Sequence, residues 1–180
     1  MQNPYQIIRP RLYKSILQKS LYTFLGCLFI FSNAFAQLNR TEKKILERID
    51  ANYDASVAFL EEVININSGS LNAKGVEQVG QVFADAFAAL GFENSWIDLP
   101  PEMKRGGHLF SEFHQGNVKG KKLLLIGHLD TVFEEDSPFQ SARRSGDTLF
   151  GPGAADMKGG NVVILYALKA LKEAGVLKNA

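Results

Sequence analysis

Residues 123–133 read LLLIGHLDTVF. A run this densely apolar requires cover on both faces, so a chain that contains it must build further layers around it. The run delivers His128 and then Asp130. Spacing of two along an extended chain points both side chains the same way, so one site can use both. In open α/β sheets the functional crevice lies beyond the carboxyl ends of the strands, which is where this pair stands. A bare His-x-Asp is also what a hydrogen-bonded histidine beside a turn aspartate looks like, and a second stretch has to decide between the two.

The flanking pattern predicts the layers. Ile45, Ile49, Tyr53, Val57, Leu60 and Ile64 recur every three or four residues behind Thr41 and Glu42. That spacing predicts one amphipathic helix of roughly six turns, stopping in NINSGSLNAKG. Val76, Val79, Phe83, Phe87 and Leu90 predict a second helix, ended by Gly91. FENSWIDL reads as a strand, PPEMKRGG as a loop and HLFSEFHQ as a half-buried strand. Lys122 to Ile126 reads as a strand covered on both faces. Gly159 and Gly160 open a last helix, Asn161 to Ala174, closed by Gly175. Helices alternating with strands predict an α/β fold, a layered sheet with helices on both faces.

The first 36 residues carry Arg9, Arg11, Lys14 and Lys19 and no acidic residue. An apolar stretch follows, Leu21 to Phe31, and then SNAFA before Gln37. These are the parts of a secretory signal peptide, which predicts a 1–36 leader cleaved after Ala36 and an exported, periplasmic or secreted product. The stretch falls short of the roughly 20 residues that cross a bilayer, so no stable membrane span is expected after cleavage. A lipoprotein reading at Cys27 is weaker, because the apolar run continues past it. Cys27 is the only cysteine. The mature chain therefore has no disulfide and no thiolate zinc site, and imidazole and carboxylate must hold any metal. Without the leader, 16 Lys and Arg stand against 19 Asp and Glu. That balance argues against a nucleic-acid partner, which needs a basic stripe.

The second stretch is GPGAADMKGG, residues 151–160. Its glycines and proline suggest a backbone forced into conformations that side chains forbid, and a single carboxylate, Asp156, sits among them. A phosphate cradle fails on detail: Asp156 stands where the third glycine of G-x-G-x-x-G belongs, and no Gly-Lys-Ser/Thr follows. A carboxylate there suits a cation.

Together IGHLDTVF and GPGAADMKGG resemble the paired motifs of the M20 zinc metallopeptidases, most closely the glutamate carboxypeptidase (carboxypeptidase G2-like) branch. The resemblance runs from about Leu38 to the end and takes in LNAKGVEQVG and NVVILYALKALKEAG. It implies the N-terminal part, residues 37–180, of a zinc-dependent exopeptidase-like (phosphorylase/hydrolase-like) catalytic domain. His128 would be a terminal zinc ligand and Asp156 the bridge between two Zn2+ ions. Asp130 would be the catalytic acidic residue behind the site, orienting His128. A cis peptide is implied at Asp156–Met157. The implied activity is that of a carboxypeptidase, cleaving an amide near a C-terminal acidic residue of a small peptide or N-acyl amino acid.

The family also uses a Glu-Glu pair, a later acidic residue and a distal histidine. Here the adjacent pairs are only Glu61-Glu62 and Glu134-Glu135. A truncated chain, lacking the dimerisation domain and the C-terminal half, is expected to be inactive by itself. Dimers are expected only of a full-length form, and apolar sheet and helix surface is expected to lack its cover. Two alternatives stay open: a non-catalytic remnant that binds one metal weakly, and an N-acyl amino acid deacylase of the same fold. His108 and His114 lie outside the implied ligand set, and Lys104 to Gly107, Arg143 and Arg144 read as solvated surface.

Overall fold

A computed structural model describes residues 15, 17–24, 37–114 and 122–177. The expected cleavage point after Ala36 lies outside them, as does Cys27. The chain divides into two compact units, Met1–Arg40 and Thr41–Ala180. In the first, residues 17–24 are helical and exposed. No helix among the described residues is long and apolar enough to cross a membrane. The second unit carries both motifs.

The single helix expected from residue 41 is two helices, α1 (Arg40–Ala51) and α2 (Tyr53–Ile64). Asn52 divides them. Its Nδ2 donates to Arg48 O and to Glu173 Oε2, both at 2.8 Å. A short amide side chain that bonds nearby backbone competes with the helix for its own carbonyls. The apolar stripe becomes core only beyond this break: α1 buries nothing, whereas α2 ends in buried Val63 and Ile64.

Helix α3 (Ala73–Ala89) starts at Asn72, whose side chain accepts from Gly75 N at 3.0 Å. That bond satisfies one of the donors a helix start leaves free. It ends before Gly91, which has the predicted left-handed φ of 85°. Strand β1 (Glu93–Ile97) pairs antiparallel with β2 (His108–Glu112), with Ser95 opposite Phe110. Trp96 lies against α3 where Gly80 leaves room, since a Cβ at residue 80 would stand 2.5 Å from the indole ring. A hairpin not foreseen in the sequence joins β3 (Arg143–Ser145) to β4 (Thr148–Phe150). Gly146 supplies the positive φ that its two-residue turn needs. Helix α4 (Lys158–Glu173) begins three residues earlier than the sequence suggests.

Val63, Val79, Phe83, Leu90, Val162 and Leu165 form the core, drawn from α2, α3 and its C-cap, and α4. Phe59 meets Phe83 edge to face, with ring centroids 5.4 Å apart. Such a pairing adds about 1 kcal/mol beyond area burial. The mixed α/β class is as expected, with its strands paired in two antiparallel ladders.

One expected element is corrected. Lys122 to Ile126 is not a covered strand: Leu123, Leu124 and Ile126 are 82%, 78% and 76% exposed, and the run joins no ladder among the described residues. Apolar sequence states a demand for cover, and cover comes only from neighbouring strands and helices. Among the described residues, none meets that demand here.

Candidate functional site

A three-residue strap between α2 and α3, Ser68 to Ser70, holds the His128–Thr131 turn in place. Thr131 N donates to Ser68 O at 2.8 Å and Ser70 N to Thr131 O at 3.0 Å, forming a parallel bridge between Gly69 and Thr131. Ser68 Oγ donates to Leu129 O at 2.9 Å. Ser68 and Thr131 are buried, so these bonds are shielded from water. This strap, and not a covered strand, holds the pair in place.

The turn aims its side chains at one another. His128 Nδ1 faces Asp130 Oδ1 at 3.1 Å and Asp130 O at 3.0 Å. Both are acceptors, so a proton on Nδ1 has two partners there. His128 Nε2 lies 3.1 Å from Asp156 Oδ1, 28 residues further along. Two segments are thus brought together at one point, and Asp156, with its side chain 89% exposed, holds its carboxylate in the open. Burial alone would push the His128 pKa down, but the bonds to Asp156 and Asp130 outweigh it and the net shift is upward from 6.5.

Helix α4 holds the other half. Asn161 Nδ2 donates to His128 O at 2.6 Å. Gly127 permits that approach, because a Cβ there would fall 2.1 Å from Asn161 Oδ1. Lys158 is fully buried, and its Nζ donates to Val63 O at 2.7 Å in the last turn of α2 and to Ile66 O at 2.8 Å just past its end. Burial pushes its pKa down to about 8. The ammonium thus fastens the Asp156 turn to α2. The peptide between Asp156 and Met157 is cis, the isomer the resemblance implies.

An imidazole nitrogen and a carboxylate oxygen suit zinc. Two donors on a zinc tetrahedron with bonds of roughly 2.0–2.1 Å stand about 3.3 Å apart, and the observed 3.1 Å is close to that edge. No group of three or more His, Cys, Asp or Glu side chains able to hold a metal forms among the described residues. One member of each acidic pair is engaged elsewhere. Glu61 pairs with Arg144, and Glu134 accepts from Leu71 N with both oxygens, at 3.1 and 3.2 Å. His114 lies on the exposed surface beside Glu112.

Ser68, Ser70, Lys158 and Asn161 are the supporting residues that sequence reasoning missed. None carried a signal by type alone, although Lys158 stands inside the GPGAADMKGG stretch.

Known proteins share parts of this sequence and of this fold. The family model described as peptidase family M20/M25/M40 matches residues 124–180, a stretch that contains His128, Asp130 and Asp156. Carboxypeptidase G2 of Pseudomonas sp. (strain RS-16) is 33% identical over 169 residues, covering 90% of this chain and 38% of that protein. N-formyl-4-amino-5-aminomethyl-2-methylpyrimidine deformylase of Bacillus subtilis (strain 168) is 25% identical over 137 residues, covering 72% of this chain and 31% of its own length. The chain therefore spans well under half the length of either relative. The solved structure of the di-peptidase Dug1p from Saccharomyces cerevisiae superposes with a TM-score of 0.61 at 18% identity, over 74% of this chain and 31% of that one, and so shares its fold. With one segment carrying His128, a turn carrying Asp156 and a sequence match running through both, residues 124–180 match the peptidase family M20/M25/M40 and the chain is similar to carboxypeptidase G2 over 90% of its length.

Proposed function

We propose that residues 37–180 form the N-terminal part of a zinc-dependent amide hydrolase, in which His128 and Asp156 are metal ligands and Asp130 is the catalytic acidic residue that orients His128. The observation that carries this reading is the convergence of His128 Nε2 and Asp156 Oδ1 at 3.1 Å, with Asp130 on the other ring nitrogen. In the complete site His128 and Asp156 would hold Zn2+, with Asp156 as the ligand common to both ions. When bound, the metal supplies a Lewis acid and a water of lowered pKa. The chain's own contribution is placement. Asp130 fixes the imidazole so that Nε2 faces the metal, Asn161 holds the backbone of His128, and Lys158 anchors the Asp156 turn.

The substrate class is an amide next to a C-terminal acidic residue, in a small peptide or N-acyl amino acid. One relative is named a carboxypeptidase and the other a deformylase, and a peptide and an N-formyl amine share the amide C–N bond. The deformylase keeps a second reading open, acyl removal from an N-acyl substrate by the same site. Neither acidic pair stands at the donors, so these 180 residues alone are expected to hydrolyse neither substrate. Dimerisation, like activity, is assigned to a longer form.

Zinc titrated into the chelator-treated chain tests the ligand assignment. One equivalent should bind, and His128→Ala or Asp156→Ala should weaken it by more than about 100-fold, since even partners behind the ligands commonly cost that much. Unchanged affinity in both variants would sink the assignment. For localisation we propose export with removal of residues 1–36. The mass of the secreted chain should begin at Gln37, and a mature protein that keeps the basic leader rules this out.

A further inference from the structure

The strap holds more than the backbone of the turn. Ser70 Oγ donates to Asp130 Oδ2 at 2.5 Å, and the same hydroxyl lies 3.3 Å from Thr131 O. One proton cannot serve both acceptors equally, and the shorter, charge-assisted bond to the carboxylate wins. The other carboxylate oxygen, Oδ1, faces His128 Nδ1. The two Asp130 oxygens are therefore held from opposite sides. Ser70 itself is tightly located. Its N–H is bonded to Thr131 O, Leu71 N is held by Glu134, and a side chain at Gly69 would collide with Glu134, whose Cα stands 2.8 Å from a Cβ built there. The hydroxyl is fixed by scaffold bonds on both sides of it.

We infer that Ser70 is a positioning residue for the metal site, acting through Asp130 to set the tautomer and aim of His128. The inference rests on the proposed reading of His128 and Asp156 as ligands. Without the Ser70 hydroxyl, the Asp130 carboxylate is free to turn about its terminal torsion, which is broad in energy, and Oδ1 no longer stays on Nδ1. The imidazole then samples both tautomers, and the nitrogen pair on Nε2 is presented for only part of the time. Partners of this kind typically change metal affinity by about 10–100-fold.

The test uses the full chain with two readouts, one of which needs no metal. Nitrogen–proton correlation spectra of the chelator-treated protein in alkaline buffer, where the ring is neutral, report which His128 nitrogen bears the proton. Cobalt titration followed by its visible absorption reports affinity. Wild-type protein should show Nδ1 protonated. Ser70→Ala should mix the tautomers and weaken cobalt binding by about 10–100-fold, and Ser70→Thr, which keeps the hydroxyl, should restore both. In an Asp130→Asn background, Ser70→Ala should add little, because the effect passes through that carboxylate. If Ser70→Ala loses its helical circular dichroism, Ser70→Cys keeps the size with a weaker donor and should move both readouts in the same direction. Unchanged nitrogen shifts and cobalt affinity in a folded Ser70 variant overturn the inference while leaving the ligand assignment intact. A wild type that binds no cobalt, but whose His128 tautomer still responds to Ser70→Ala, overturns the ligand assignment and leaves Ser70 as the residue that positions the ring.

Discussion

Lys158 shows how an expensive residue is used. A buried ammonium with only carbonyls for company costs stability, and its bonds to Val63 O and Ile66 O offset part of that cost. The cost has a pH signature. The folded-state pKa, about 8, lies below the ordinary 10.5, so between those values the unfolded chain holds more protons than the folded one. Stability therefore rises with pH across that window, by on the order of 3 kcal/mol in total. Below about pH 8 the full cost is present. Urea unfolding of chelator-treated protein at a series of pH values, wild type against Lys158→Met, should show the wild type gaining on the variant as pH rises from 8 towards 10.5. Parallel curves would mean that the ammonium reaches water in the folded state.

Among the elements, the run from Leu123 to Ile126 is the exception, because it is exposed along most of its length and its backbone joins no ladder among the described residues. Free strand-like edges with large apolar side chains favour pairing with other chains. The double substitution Leu124→Lys and Ile126→Lys should reduce aggregation and dye binding to exposed apolar surface while leaving the helical circular dichroism unchanged. A loss of helix signal instead would show that these side chains support α3 or α4. The helices behave differently because they carry their own cover. Val63, Phe83 and Leu165 close on one another without help from the run.

At the scale of the whole molecule, the sequence yields the chemistry more readily than its support. His128 and Asp156 were legible as candidates because imidazole and carboxylate declare a chemistry by type, and the glycine-rich setting of Asp156 marks a special turn. Ser70, Asn161 and Lys158 were not, because a serine, an asparagine or a lysine gains its meaning only from partners 60, 33 and 95 residues away. The helices were legible from their apolar period, apart from the break at Asn52, where one side chain outweighs the stripe. The covered strand was misread because hydrophobicity records what a segment needs and not what it receives. The order of the supports along the chain adds a consequence for synthesis. The strap at residues 68–70 leaves the ribosome about sixty residues before the turn it grips. The docking seat for His128 and Asp130 is thus in place early, and Asp156 arrives last, so the two-part centre closes only after its first part has been seated.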